Sequence, residues 1–300
     1  GKRRSIEYFD SLNKAKADAS FYGNSFNQLN QIQVDQLHDA GYSGNGVRIL
    51  VLDSGYRLDH GAFDSLNVIA AYDFVDQDSI VYNEEGKDLN NQHNHGTQVL
   101  SVLAGFKPDT LVGPAYRSEF LLGKTEDISL EEPIEEDYFI AGLEWGELLG
   151  ADIVSSSIGY IDWYAQSDMD GQTAPITVAV NIAIERGMII ITAVGNSGVG
   201  GIVAPADAFD VISCGAVDEY GLIASFSSIG PTTDNRIKPE VCALGKGTFF
   251  ASAISKKSYL YGNGTSLSTP LISGICALLL EAHPDWTNTE IREAILNSAD

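Results

Sequence analysis

"VRILVLD", residues 47–53, is a near-continuous apolar run that ends in a carboxylate. A strand that is apolar on both faces has no side left for water, so it belongs in a parallel sheet covered on each face. The run is one of a series. "EFLLGKTED" (119–127) begins as a strand, and "ADIVSSSIG" (151–159) is a strand. "MIIITAVGNSG" (188–198) is a strand running into a glycine-rich turn, and "DVISCGAVD" (210–218) is another strand. Between them the period lengthens. "HGTQVLSVLAG" (95–105) reads as a helix ended by Gly105. "EEDYFIAGLEWGELLG" (135–150) reads as a helix with Ile140, Leu143 and Leu148 on its apolar face, and "APITVAVNIAIERG" (174–187) as a third. "NGTSLSTPLISGICALLLEAH" (263–283) carries the last long helix, with Leu271, Ile272, Ile275, Leu278, Leu279 and Ala282 at helical spacing. Strands alternating with helices predict an α/β fold: a doubly wound, mostly parallel central sheet with helices on both faces, in three layers α/β/α. Residues 1–33 are polar and read as an N-terminal arm; residues 34–300 read as a single domain.

The apolar share, 44% of 300 residues, is enough for a substantial core. Eighteen Lys and Arg stand against 41 Asp and Glu, a net charge of −23. Such a chain repels phosphate, which argues against a nucleic-acid partner. There is no run of 18 apolar residues, so no membrane span is expected. The opening "GKRRSIEYFD" has no apolar stretch and is not a signal peptide. Cys214, Cys242 and Cys276 lie in apolar runs, at spacings that fit neither a metal site nor a disulfide framework.

In doubly wound sheets, ligands bind at the carboxyl ends of the strands. Asp53 stands at such an end. It can cap the turn that follows, or serve as a functional carboxylate. An acid protease would need a second Asp-Ser/Thr-Gly, and none occurs. His95 opens a helix of small residues, where it is exposed enough for proton transfer. His93 precedes it, but His-x-His without a third ligand is a weak metal signal. Asn196 in "AVGNSG" is either a turn residue or an amide donor aimed at a developing oxyanion. Ser266 in "NGTSLSTP" is either a helix cap or a nucleophile. At a helix start, its own N–H and the helix dipole would favour the charge formed in acyl transfer. Gly264 allows close approach, and Pro270 falls early enough in the helix for its missing N–H to cost little.

Together the segments "VLDSG", "HGTQV", "AVGNSG" and "GTSLSTP" resemble the four signatures of the subtilisin-like serine proteases, the subtilases. Their chain order Asp, His, Ser is the subtilisin order. "GADIVSSSIG", "PADAFDVISCGAV", "SFSSIGPTTDNRIKPEV" and "LLLEAHPDWTNTEIREAI" extend the likeness over roughly residues 34–298.

The resemblance implies a serine endopeptidase acting on protein or peptide substrates. Ser266 would be the nucleophile, His95 the base, Asp53 its orienting carboxylate and Asn196 the oxyanion donor. The Ser266 oxygen would turn away from its own helix, towards His95. Substrate would lie along Ser156, Ser157, Ile158 and Gly159 and along an extended stretch near Tyr138, over a pocket floor of Ala193, Val194 and Gly195. Gln98 stands where the family commonly has a second His, and Leu267 where it has Met. Catalysis needs no cofactor; structural calcium is common in the family, but no ligands are assignable here. A pro-segment of its own as partner, and export to the periplasm, the cell surface or the medium, are further expectations. The acidic stretch "EDISLEEPIEED" (126–137) would either steer basic substrates, bind calcium or lead into a helix N-terminus. A transpeptidase or macrocyclase would use the same residues, because water and amines attack the same acyl-enzyme. A silent binding relative is the third class, and the intact set of four residues argues against it.

Overall fold

The computed structural model describes residues 19–299. The expected arm lies outside the described residues as far as residue 18. From Ala19 onward the chain is built into the fold. Helices α1 (Ala19–Tyr22), α2 (Phe26–Asn30) and α3 (Val34–Asp39) bury Tyr22, Leu29 and Val34 in the core. Then come β1 (Arg48–Asp53), β2 (Asn67–Asp73), α4 (Asn94–Ala104), β3 (Phe106–Lys107), β4 (Leu111–Val112) and β5 (Glu119–Lys124). Helix α5 (Ile134–Leu148), β6 (Ile153–Ser156), α6 (Pro175–Glu185), β7 (Ile189–Ala193) and β8 (Ile212–Val217) continue the alternation. The chain closes with β9 (Val241–Leu244), β10 (Lys246–Ala251), β11 (Tyr259–Asn263), α7 (Thr265–Ala282) and α8 (Asn288–Ser298).

Seven strands form one sheet in the order β2-β5-β1-β6-β7-β8-β9, every pairing parallel. The alternation of side chains along β1 explains its apolar run. Ile49 and Val51 enter one core with Val99 and Leu103 of α4 and Leu271 and Leu278 of α7. Leu50 and Leu52 enter the other, with Phe139 and Leu143 of α5 and Ile176 and Val180 of α6. The fold is the expected three-layer α/β/α arrangement.

Helix α7 is long and apolar enough, by length and composition, to cross a bilayer, yet 67% of it is buried against the sheet and α4. It is not the last long helix: α8 follows, capped by Thr287, whose side chain accepts from the Glu290 N–H while Glu290 reaches back to the Thr287 N–H. That capping box, "TNTE", was a readable signal. Strand β2 and the antiparallel pair β10/β11 also went unforeseen. β2 lies at the sheet edge with a mixed burial pattern, so its sequence lacks a continuous apolar run.

Candidate active site

β1 is the point where the winding of the sheet reverses: β2 and β5 lie on one side, β6 to β9 on the other. Asp53 ends β1, Ser156 ends β6 and Ala193 ends β7, all at the carboxyl edge. Helix α4 brings His95 to the same edge, because Gly96 lets the first turn sit on β1. A Cβ at Gly96 would fall 2.2 Å from the Gly55 carbonyl and 3.1 Å from Asp53 Oδ1.

Asp53 is fully buried. Its Oδ1 accepts from His95 Nδ1 at 2.8 Å, from the Ser54 N–H at 2.8 Å and from the Ser54 hydroxyl at 3.2 Å, while buried Oδ2 has no hydrogen-bond partner. A carboxylate only accepts, so Nδ1 carries a proton in either state, and in the neutral ring Nε2 holds the lone pair. Desolvation favours neutral His95. The charge and hydrogen bond of Asp53, aided by Glu126, win and raise its pKa to about 9. His93 Nδ1 accepts from the Asn83 N–H at 3.1 Å, and the His93 backbone N–H donates to Asn83 Oδ1 at 2.8 Å. The pair of bonds fastens the His93 residue to Asn83.

Ser266 is the second residue of α7; the cap position belongs to Gly264, whose φ of +154° favours glycine. The Ser266 hydroxyl does not bond back to its first-turn amides. It donates to the Ser157 carbonyl at 3.3 Å, and the Ser157 hydroxyl donates to the Ser266 carbonyl at 2.9 Å. Pro270 explains the second bond: lacking an N–H, it leaves the carbonyl four residues earlier without its helical partner. The expected turn of the hydroxyl away from its helix is present, whereas a hydrogen bond to His95 is not among those formed.

Asn196 lies just past β7. Its Oδ1 accepts from the Thr265 N–H at 2.9 Å and from the Thr265 hydroxyl at 3.2 Å. Both donors fix the carbonyl side of the amide, so Nδ2 is the end left to donate on the exposed side. Ala193, Val194 and Gly195 are buried beneath it. Ser156, Ser157, Ile158 and Gly159 leave the end of β6, and Tyr160 then pairs with Ala204.

One expected cleft wall needs correction. Tyr138 lies within α5, where backbone groups are already used by helical bonds, so no extended pairing is available there. The non-helical stretch beside the site is 125–127, joined to β1 by the Thr125 N–H donating to the Asp53 carbonyl at 3.0 Å. Sequence reading also missed two residues that hold this stretch. Buried Gln92 donates to the Ser54 carbonyl at 2.9 Å and to the Glu126 carbonyl at 2.5 Å, and accepts from the Ile128 N–H at 3.0 Å. Buried Lys124, at the end of β5, pairs with Asp73 and Asp88 at 2.8 Å each. Lys124 directly follows the apolar run Phe120–Gly123, and that break was its sequence signal.

The acidic stretch divides. Glu135 and Glu136 are buried in the first turn of α5, where carboxylates favour a helix N-terminus. Glu136 accepts from Trp163 Nε1 and the Tyr164 hydroxyl, both at 2.6 Å, and from the Ile176 N–H at 3.0 Å. Glu135 accepts from the Asp127 N–H at 3.0 Å. Burial, then the charges of Asp53 and Glu135, raise Glu126 to about 8; burial and nearby carboxylates raise Glu135 to about 7. Among the described residues no three His, Cys, Asp or Glu side chains converge on one point.

A parallel α/β sheet thus carries a buried Asp–His pair at its switch point and a serine at a helix start. The Subtilase family model matches residues 44–300, and the chain belongs to that family of subtilisin-like serine proteases. It is 30% identical over 276 residues to subtilisin of Bacillus pumilus, covering 90% of both chains. It is likewise 30% identical to subtilisin NAT of Bacillus subtilis subsp. natto, 90% of this chain covering 65% of that one. A solved protease from Pseudoalteromonas arctica PAMC 21717 shares the fold, with a TM-score of 0.73 and 22% identity over 94% of this chain and 93% of that one.

Proposed function

We propose that the chain is a serine endopeptidase that cleaves peptide bonds through an acyl-enzyme on Ser266. His95 takes the Ser266 proton on Nε2 and returns it to the leaving amine, while Asp53 keeps the other ring nitrogen protonated and stabilises the imidazolium. The Asn196 amide and the Ser266 N–H receive the oxyanion. One such donor lowers the barrier by about 3–4 kcal/mol, a magnitude known from a subtilisin of the same family. The observation that carries this reading is the 2.8 Å hydrogen bond between His95 and buried Asp53 at the carboxyl edge of the sheet. The steps use this chain's own side chains. Action on extracellular protein, and a pro-segment as folding partner, are proposed on the family likeness.

A fluorophosphonate probe is expected to label Ser266, and the same preparation to digest casein. Absence of label would sink the proposal; label without digestion would point to narrow specificity or ligation.

The same arrangement predicts an alkaline enzyme. His95 acts only when neutral, and its pKa is raised to about 9. It therefore carries a proton below that value, and kcat/KM on a neutral peptide should climb about tenfold per pH unit from pH 6 to 8. It should level off above pH 9. A plateau already reached by pH 7 would show that Asp53 and Glu126 do not hold the imidazole's proton as described.

A further inference from the structure

The helix that carries His95 is not fastened by a cap of its own. Helix α4 begins at Asn94, His93 stands at the cap position, and no side chain bonds to the first-turn amides. A helix end without a side-chain cap is prone to fray. Yet His95, the second residue of that turn, meets Asp53 across a 2.8 Å hydrogen bond. The approach of the imidazole is therefore set by ties from outside the helix.

Gln92 lies three residues before His95 and is 1% exposed. Every polar atom of its amide is bonded to another segment. Nε2 donates to the Ser54 carbonyl at 2.9 Å and to the Glu126 carbonyl at 2.5 Å, and Oε1 accepts from the Ile128 N–H at 3.0 Å. Ser54 in turn gives Asp53 Oδ1 its N–H at 2.8 Å and its hydroxyl at 3.2 Å. One side chain thus joins the segment bearing His95 to the turn that orients Asp53. The neighbouring ties lead elsewhere: His93 to Asn83, and Asp88 to Lys124. Among the described residues no other side chain of 88–94 bonds to Asp53 or Ser54.

We propose that Gln92 is a positioning residue for the Asp53–His95 pair: its amide fixes the start of α4 against the Ser54 turn and so sets how the imidazole reaches Asp53 and Ser266. This rests on the endopeptidase reading, in which His95 is the base. Residue chemistry supports it. Two carbonyls and one N–H are met by two donors and one acceptor on a single planar group, which is what a glutamine amide carries. Methionine has the length without the hydrogen bonds, and asparagine has the amide but is one methylene short. A displacement of about 1 Å at a reacting group can cost on the order of 10² in rate. The rival role is support of the 126–128 stretch alone, through the Glu126 and Ile128 bonds; that role acts on substrate binding rather than on His95.

The test compares Gln92→Met, Gln92→Asn and Ile128→Pro with the wild type. Ile128→Pro removes only the N–H that meets Oε1. Ile128 is the second residue of a turn closed by the Leu130 N–H donating to the Asp127 carbonyl, a position that proline favours. Active sites are counted by fluorophosphonate labelling carried to completion. On the same preparations kcat and KM for a neutral quenched peptide are measured from pH 6 to 11, with thermal unfolding beside them. In Gln92→Met, kcat per labelled site at pH 10 is expected to fall about 10- to 100-fold. The midpoint of the rise in kcat/KM should move about one unit to lower pH. Asp53 and Glu126, the charges that face the ring, are unchanged, but a longer bond to Asp53 holds the His95 proton less firmly. Gln92→Asn should shift both readings in the same directions, and Ile128→Pro should leave both at wild-type values. If Gln92→Met does not fold, Gln92→Asn decides by the same readings. Gln92 variants that keep kcat per site and the pH midpoint, and lose only thermal stability or show only a raised KM, overturn the positioning role and leave the peptidase reading standing. Wild-type enzyme that neither labels nor cleaves overturns both.

Discussion

Ser266→Ala is expected to lower kcat by on the order of 10⁶, a figure that comes from the subtilisin triad itself. What remains is the turnover that binding and the oxyanion donors supply alone. The fold should survive. The change removes one long hydrogen bond, to the Ser157 carbonyl at 3.3 Å. That costs about 1 kcal/mol at most, offset in part by the higher helix propensity of alanine. The reciprocal bond, from the Ser157 hydroxyl to the Ser266 carbonyl, uses backbone and is kept. Turnover, probe labelling and thermal unfolding, measured on one preparation, should show the first two lost and the melting temperature nearly unchanged. Retention of more than a hundredth of wild-type turnover would move the nucleophile elsewhere.

Asp53→Asn should cost on the order of 10⁴ in kcat, the loss known for the same change in a serine protease of another fold. The asparagine carbonyl can still accept from the Ser54 N–H, as Oδ1 does now at 2.8 Å. Its amide, however, donates. A donor facing Nδ1 moves the imidazole proton to Nε2, where the base must be empty. Removing the buried charge also removes the largest influence holding the His95 proton, so the residual activity should titrate below pH 9. A loss under a hundredfold would mean that Asp53 acts only as the turn cap that "DSG" by itself allowed.

Much of this site was legible in the chain because each part is local. An apolar run ending in Asp53 announces a buried strand with a carboxylate at its edge. Small residues after His95 announce a helix that can sit close to a neighbour, and Gly96 does so against Asp53. Asn196 stands in the turn after a strand buried throughout, and Ser266 at the start of a long apolar helix. The misreadings share a cause. Tyr138 was placed in an extended wall although its own segment has helical spacing. Glu135 and Glu136 were legible at a helix start, but sequence does not say that Trp163, Tyr164 and the Ile176 N–H come to meet one of them. Lys124 and Gln92 draw their importance from partners far along the chain, Asp73 and Asp88 for the first, Ser54 and Glu126 for the second.

The sequence by itself determined the three-layer α/β plan and the identity of four candidate residues, since periodicity and residue chemistry are properties of short stretches. Only the tertiary structure decided which hydrogen bonds those residues make. Asp53 meets His95 because β1 and α4 pack together, and the Ser266 hydroxyl meets the Ser157 carbonyl because α7 starts against the end of β6. The setting of Glu136 is a tertiary property as well: Trp163, Tyr164 and the Ile176 N–H, which it accepts from, come from another stretch of chain. Hydrogen bonds and charges act over a few ångströms of space, and proximity in space is set by packing rather than by position along the chain.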